Sequence, residues 1–279
     1  MASQTDNTQI CHSPIKIEDY KIVYDVTSDT RNEHQSSHRH RYFAIYWIHE
    51  GIGSDVIDFQ EYALRPDRIF FIRPEQVHFP HWRSQVRYSA LHFTKDFMLP
   101  FLDNDEQEMT VYKDLSEAEC RRIKTLFVQL HDESQSDLPC SNVIIQSEIN
   151  TLLLELKRIC LAISSTAIQP ETLCTYKALV EKLYHTHHQV QTYADMLHIT
   201  PNYLNVLAKK HLGKSALEII NDRIILEIKR QLILSDTEIS EIAYQLNFNE
   251  LSYFSRFFKR ITGVTPNEFR TTMNKMYQR

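Results

Sequence analysis

Two stretches in the last third of this chain repeat one another at a spacing of fifty residues. Tyr203-Leu204, Leu207-Ala208-Lys209-Lys210 and Gly213 return as Tyr253-Phe254, Phe257-Phe258-Lys259-Arg260 and Gly263. The 279 residues include only four glycines, and two of them hold matched places in the copies. An apolar stripe, a basic pair and a helix-ending glycine are kept together, so one small helical unit is used twice. Its composition points to nucleic acid.

The charge distribution fits that direction. The net charge of −5 is unevenly spread: residues 1–169 carry 17 Lys and Arg against 25 Asp and Glu, whereas residues 170–279 carry 14 against 11. An acidic module is therefore joined to a mildly basic one, each long enough for a core of its own. A hydrophobic content of 42% and a charged content of 24% are those of a globular protein. The five cysteines, Cys11, Cys120, Cys140, Cys160 and Cys174, are widely spaced and form no CxxC pair, which predicts reduced thiols. The polar start of the chain is unlike a signal peptide, and no apolar run reaches the length of a membrane span. The expectation is a cytoplasmic protein with no membrane partner.

After a loose tail over 1–14, the texture to about residue 93 is that of strands. Runs at 20–26, 42–49, 55–59, 68–72 and 86–93 are rich in Ile, Val, Phe and Tyr, and Gly51-Ile52-Gly53 reads as a hairpin turn. Short strands with tight connections predict a small barrel or sandwich. Ser116-Glu117-Ala118-Glu119 has the form of a capping box and opens a helix over 116–131. A second helix, 141–162, carries Ile145, Ile149, Leu152, Leu153, Leu156 and Cys160 on one stripe. That stripe fits either the end of the barrel or a second copy of the chain, which would make a homodimer through 116–131 and 141–162. Polar residues ending in Pro170 mark a junction at 164–172.

Beyond the junction the pattern is helical, at 173–187, 190–197, 201–211, 216–234, 239–246, 250–261 and 266–276. Thr200-Pro201 and Thr265-Pro266 supply capping hydroxyls followed by proline, and Gly213 and Gly263 supply helix ends. In a helix-turn-helix the first helix braces a second that enters the major groove. Ala194 and Ala243 are the small residues such a crossing needs. Leu204, Leu207, Ala208 and His211 face inward in the first copy, as do Phe254, Phe257, Phe258 and Ile261 in the second. The opposite faces carry Asn202, Asn205, Val206, Lys209 and Lys210, then Leu251, Ser252, Ser255, Arg256, Lys259 and Arg260. Asparagine and arginine suit base edges, and the basic pairs suit phosphates. Any amphipathic helix has a polar outer face, so one copy decides little; two with matched caps favour a DNA reader. The helix joining them, 216–234, is roughly 28 Å long at 1.5 Å per residue. That is close to the roughly 34 Å between successive major-groove faces.

Residues 173–276 resemble the DNA-binding domain of the AraC/XylS family of bacterial transcription regulators. The resemblance is strongest at Ile242-Ala243-Tyr244, Phe248, Ser252 to Lys259, Gly263-Val264-Thr265-Pro266 and Phe269-Arg270. It implies helix-turn-helix motifs at about 190–211 and 239–261 within a DNA-binding domain over 173–279. It also implies a sequence-specific transcription regulator, an activator that contacts RNA polymerase. Two departures stand out. The usual turn glycines are His198 and Asn247, residues that tolerate positive φ at some cost. Val206 stands where many relatives carry a polar reader, and it can still meet a thymine methyl.

His38-Arg39-His40 before one strand and Pro74-Glu75-Gln76-Val77-His78 after another resemble the cupin-like sensor domain of the same family, here within residues 1–163. Metal-binding cupins converge two histidines, a carboxylate and a later histidine on one ion. Ala44 stands where that carboxylate is expected, and Asp67 and Glu75 replace turn glycines. The resemblance therefore implies no metal and no cofactor, unless His81, Glu50 or water stands in. The expected fold class is α+β: a cupin-like barrel with two following helices, then an all-α domain with two helix-turn-helix motifs on a long joining helix. A small-molecule effector would meet His38, His40, Tyr42, Tyr46, Phe70, His78, Tyr88 and His92, with Phe79 also inward. Arg39, Arg41 and Arg73 hint at an anionic ligand. Two rival readings follow from the same residues: a metal-dependent cupin enzyme with a DNA-binding appendage, and a helical interaction module that ignores DNA. There is no Gly-rich phosphate loop, G-x-S-x-G elbow or metalloprotease motif.

Overall fold

The computed structural model describes residues 20–28, 38–99, 109–161, 170–234 and 237–277. The expected tail over 1–14 and most of the 164–172 junction lie outside the described residues. The chain divides into two compact units between Ser165 and Thr166.

In the first unit, strands β1 (Tyr20–Ser28), β2 (Phe43–Glu50), β5 (Arg68–Ile72), β7 (Val86–Phe93) and β8 (Tyr112–Asp114) form one sheet in the order β1-β7-β2-β5-β8. Strands β3 (Gly53–Ile57), β4 (Gln60–Ala63) and β6 (His78–Trp82) form another, in the order β4-β3-β6. All ladders are antiparallel. The expected barrel is corrected to two sheets: no ladder joins their edge strands among the described residues. The chain changes sheet four times between β2 and β7, so Gly51-Ile52-Gly53 is a crossover and not a hairpin turn. Gly53 has φ 150°, and a Cβ there would lie 2.4 Å from the His81 carbonyl oxygen, so only glycine fits. Asp67 and Glu75, at φ 61° and 64°, carry the left-handed turns expected of their positions without glycine.

Three strands escape the sequence reading. β4 and β8 are only four and three residues long. β6 (His78-Phe79-Pro80-His81-Trp82) lacks apolar alternation and holds a proline, which an edge strand tolerates.

Helix α1 (Glu117–Ser134) starts at Ser116, whose side chain and that of Glu119 cap each other's backbone as a capping box. Helix α2 (Ser141–Leu161) buries Ile145, Ile149, Leu152, Leu153 and Leu156 in one core with Phe43, Trp47, Phe71, Phe93 and, from α1, Ile123, Phe127 and Leu130. The apolar stripe of the second helix is thus spent on the sheet, not on a second chain.

The second unit is helical: α3 (Glu171–Leu183), α4 (Val190–Met196), α5 (Pro201–Leu212), α6 (Ala216–Leu234), α7 (Ile239–Gln245), α8 (Leu251–Thr262) and α9 (Pro266–Tyr277). Helix α3 begins two residues before its expected start, immediately after Pro170. Helix α6 is the spine. Tyr176 of α3 donates its hydroxyl to the Ala216 carbonyl at 2.7 Å. Arg223 meets Glu181 at 2.8 Å and Glu227 at 3.2 Å, with its guanidinium 3.7 Å above the Tyr184 ring. Burial alone would raise the Glu227 carboxyl, yet Arg223 and Arg230 hold it below the ordinary carboxylate range. Arg270 donates to the Leu232 and Thr237 carbonyls at 3.1 and 2.7 Å and so ties α9 to the far end of α6.

Candidate nucleic-acid interface and ligand cavity

The repeat is realised in three dimensions. Ala194 and Ala243 are fully buried in α4 and α7. The turns that follow adopt φ 55° at His198 and φ 58° at Asn247, so two non-glycine residues carry the left-handed corner. The backbone N–H of Ile199 donates to the Ala194 carbonyl, and that of Phe248 donates to Ala243, at 3.0 and 2.9 Å. Both reader helices end on a left-handed glycine, Gly213 at φ 71° and Gly263 at φ 84°.

The likeness runs further than the sequence reading took it. Ser215 and Glu218, and likewise Thr265 and Glu268, form reciprocal caps at the start of the next helix. Each is a hydroxyl residue followed at three positions by glutamate; the Thr265 hydroxyl was readable as a cap, while Glu268 and the Ser215–Glu218 pair were missed.

Along α5 and α8 burial repeats residue for residue from 202–210 to 252–260. Leu204, Leu207 and Ala208 are buried, as are Phe254, Phe257 and Phe258. Asn202, Val206, Lys209 and Lys210 are exposed, as are Leu251, Ser252, Arg256, Lys259 and Arg260. Tyr203 and Tyr253, absent from the expected readers, are about half exposed at matched places. Four expected placements need correction. Ile261 is exposed and not inward, and His211 is only half-buried. Asn205 and Ser255 are half-buried, and Asn205 Oδ1 accepts the Ala216 backbone N–H at 3.0 Å. That asparagine oxygen caps α6 and is not free for a base, because the left-handed glycine folds the next helix start back onto it.

The first unit holds a cavity of about 140 Å³ lined from both sheets. Seven of the eight expected effector residues line it: His38, Tyr42, Tyr46, Phe70, His78, Tyr88 and His92. His40 lies behind them, stacked at 4.0 Å on Tyr42, with Nδ1 2.7 Å from the Tyr42 carbonyl oxygen. Phe79 is buried but outside the lining. Sequence reasoning missed Asp55 and Trp82, brought in by β3 and β6. The alternation Asp55, Ile57 on a short strand was a faint signal for Asp55; nothing local marked Trp82.

Two histidines of the cluster, His40 and His92, are held neutral by their surroundings. Burial and the neighbouring His78 push His40 down to about 2, and burial and the Lys21 charge push His92 to about 3. His78 Nδ1 sits 3.6 Å from Asp55 Oδ2, and the Tyr46 hydroxyl lies 3.0 Å from His92 Nε2. The three arginines that hinted at an anionic ligand lie away from the cavity. Arg39 pairs with Glu75 at 3.0 Å, Arg73 donates to the Met109 carbonyl, Arg41 is exposed, and none lines the cavity. Ala44 is fully buried, His81 is exposed, and Glu50 is held by Arg87 at 2.6 Å, so neither stand-in reaches the cavity. Among the described residues no group of three or more His, Cys, Asp or Glu is arranged to hold a metal ion.

A family model described as an AraC-like ligand binding domain matches residues 25–153, and one described as a helix-turn-helix domain matches residues 193–272. The HTH-type transcriptional activator RhaS of Pectobacterium carotovorum is 23% identical over 244 residues, spanning 84% of this chain and 86% of its own. The arabinose operon regulatory protein of Salmonella typhimurium is 26% identical over 160 residues, 55% of each chain. The crystal structure of ToxT from Vibrio cholerae aligns with 91% of this chain and 98% of its own at 14% identity, with a TM-score of 0.46.

Proposed function

This chain belongs to the AraC/XylS family of transcription regulators, and on that premise we propose that it is an activator whose paired reader helices follow one side of promoter DNA under control of an effector held in the first unit. The observation that carries the proposal is the matched burial of α5 and α8, which leaves equivalent polar faces open in both copies. Asn202, Val206, Ser252 and Arg256 are assigned to base edges, and Lys209, Lys210, Lys259 and Arg260 to phosphates. Leu251 and Ser255 flank the second face. Asn205 is reassigned to capping.

The effector binds in the cavity and acts by preferring one of two arrangements of the molecule, since only differential affinity can shift an equilibrium. RNA polymerase is the partner an activator requires, and the relatives named activators support that sign. A homodimer would pair half-sites. It would use the outer face of α2, where Val143, Ile144, Leu154 and Leu161 remain exposed, and not the buried stripe. The setting is the cytoplasm; among the described residues no helix is long and apolar enough to cross a membrane.

Footprinting of DNA flanking the protein's own coding region, with and without cell extract, tests the proposal. Two protected patches about one helical turn apart on one face are expected. No protection at moderate salt, in either condition, removes the DNA-reading assignment. Sedimentation as a monomer at micromolar concentration, with and without DNA, removes the dimer.

A further inference from the structure

The cavity's polar atoms are unequally served. Asp55, His78 and His92 are 7%, 3% and 6% exposed, and all three line it. Asp55 Oδ1, both ring nitrogens of His78 and Nδ1 of His92 have no hydrogen-bond partner. A buried carboxylate oxygen left this way is costly unless something brings it a donor, and a full positive charge compensates it best. Among the described residues of the lining, none gives Oδ1 a donor. His78 Nδ1 stands 3.6 Å from Asp55 Oδ2, too far for a hydrogen bond, no arginine enters, and Lys21, the other charged residue among the described residues of the lining, is exposed. The remaining walls are aromatic: Tyr42, Tyr46, Phe70, Trp82 and Tyr88. Rings around one carboxylate are the chemistry that receives an organic cation. Trp82 Nε1, also unpartnered, adds one donor, which suits a hydroxyl on the body of the ligand.

Resting on the reading of the first unit as the effector-binding half, we infer that the cavity selects a compact primary ammonium. Its nitrogen donates to Asp55 and His78, and its body lies among Tyr46, Phe70, Tyr88 and Trp82. Size limits the body: a cavity of about 150 Å³ accepts a benzene-sized ring, and this one is about 140 Å³.

Calorimetry of the full chain at neutral pH with benzylamine, benzyl alcohol, benzoate and L-arabinose tests the inference. Benzylamine, protonated under these conditions, is expected to bind at least about tenfold more tightly than benzyl alcohol, because its hydrogen bonds are charge-assisted. Asp55→Asn should erase that difference. The amine-to-alcohol ratio is the readout, since a loosened core would weaken both probes together. Trp82→Leu, which keeps the carboxylate, should lower the ratio by about two- to fivefold through the lost cation–π contact. A ratio of one or below in the unaltered protein overturns the inference. Preference for benzoate or L-arabinose overturns the ammonium assignment and leaves the effector cavity standing. Silence from every probe, with promoter binding unchanged by Tyr46→Ala, overturns the inference and the effector reading beneath it.

Discussion

The two units hold their chemistry in opposite places. The helical unit confines its buried charges to the paired Arg223–Glu227–Arg230 cluster of α6, keeps the inner faces of α5 and α8 apolar and presents their polar groups on the open side. The sheet unit turns histidines, tyrosines and a carboxylate inward, around a cavity that its two sheets enclose. A surface reader must meet a ligand far larger than itself, so its working groups cost nothing to expose. An interior site must desolvate its groups and hold them unpaired until a ligand arrives, which costs stability. One unit's function is therefore separable from its folding, and the other's is not.

The largest expected effect tests the plain core of the helical unit. Phe254→Ala removes a fully buried ring and should destabilise that unit by about 3–5 kcal/mol. Both tryptophans of the chain, Trp47 and Trp82, lie in the first unit. In denaturant, far-ultraviolet dichroism should therefore lose the second unit's share of the helical signal early, keeping that of α1 and α2, while tryptophan fluorescence unfolds where it did before. Parallel shifts in both signals would show the units to be coupled.

Acid should do the reverse. His40 and His92 are held near 2 and 3 in the folded chain, against 6.5 when unfolded. Above pH 6.5 both states are neutral and nothing is gained or lost. As pH falls below 6.5 the unfolded chain takes up protons that the folded unit refuses, so stability drops until the folded values are reached. Each histidine contributes a slope of about 1.4 kcal/mol per pH unit through that window. The fluorescence midpoint should fall between pH 6 and pH 5, and His92→Gln should flatten the fall. An unchanged slope in that variant removes His92 from the account.

Smaller effects separate the open faces. Arg256→Ala should cost about 1–3 kcal/mol of specific DNA affinity if it reads a base. Lys259→Ala should weaken all sequences alike and make the salt slope shallower by about one. Equal, sequence-independent losses for both would return Arg256 to the phosphates. Smallest of all, Asn205→Ala should cost about 1 kcal/mol of stability in the helical unit, as lost helix caps do. It should leave base preference alone; a change of preferred sequence would restore Asn205 as a reader.

Legibility followed the same division. The stripes of α5 and α8, the glycine ends, and the turns at His198 and Asn247 were all readable, because a helix fixes its neighbours within four residues. The capping work of Asn205 was not, since Ala216 lies eleven residues on, across a turn. In the sheet unit Tyr46 of β2 and Tyr88 and His92 of β7 were readable as an inward face, while Asp55 and Trp82 reached the cavity only through the pairing of β3 with β4 and β6. Barrel closure was misread for a related reason: short strands announce themselves, but the partner each one pairs with is a non-local choice.

Periodicity, caps and composition are local properties of the chain, and they suffice to place two like helical units in tandem behind an acidic, strand-rich half. Tertiary structure alone decided which stripe of α2 was consumed by the core, that the arginines were spent on Glu75 and the Met109 carbonyl, and that one carboxylate was left facing a ring-lined hollow. Those outcomes depend on contacts between residues far apart in the chain, and the free energy of burying or pairing a group exists only once its neighbours are in place.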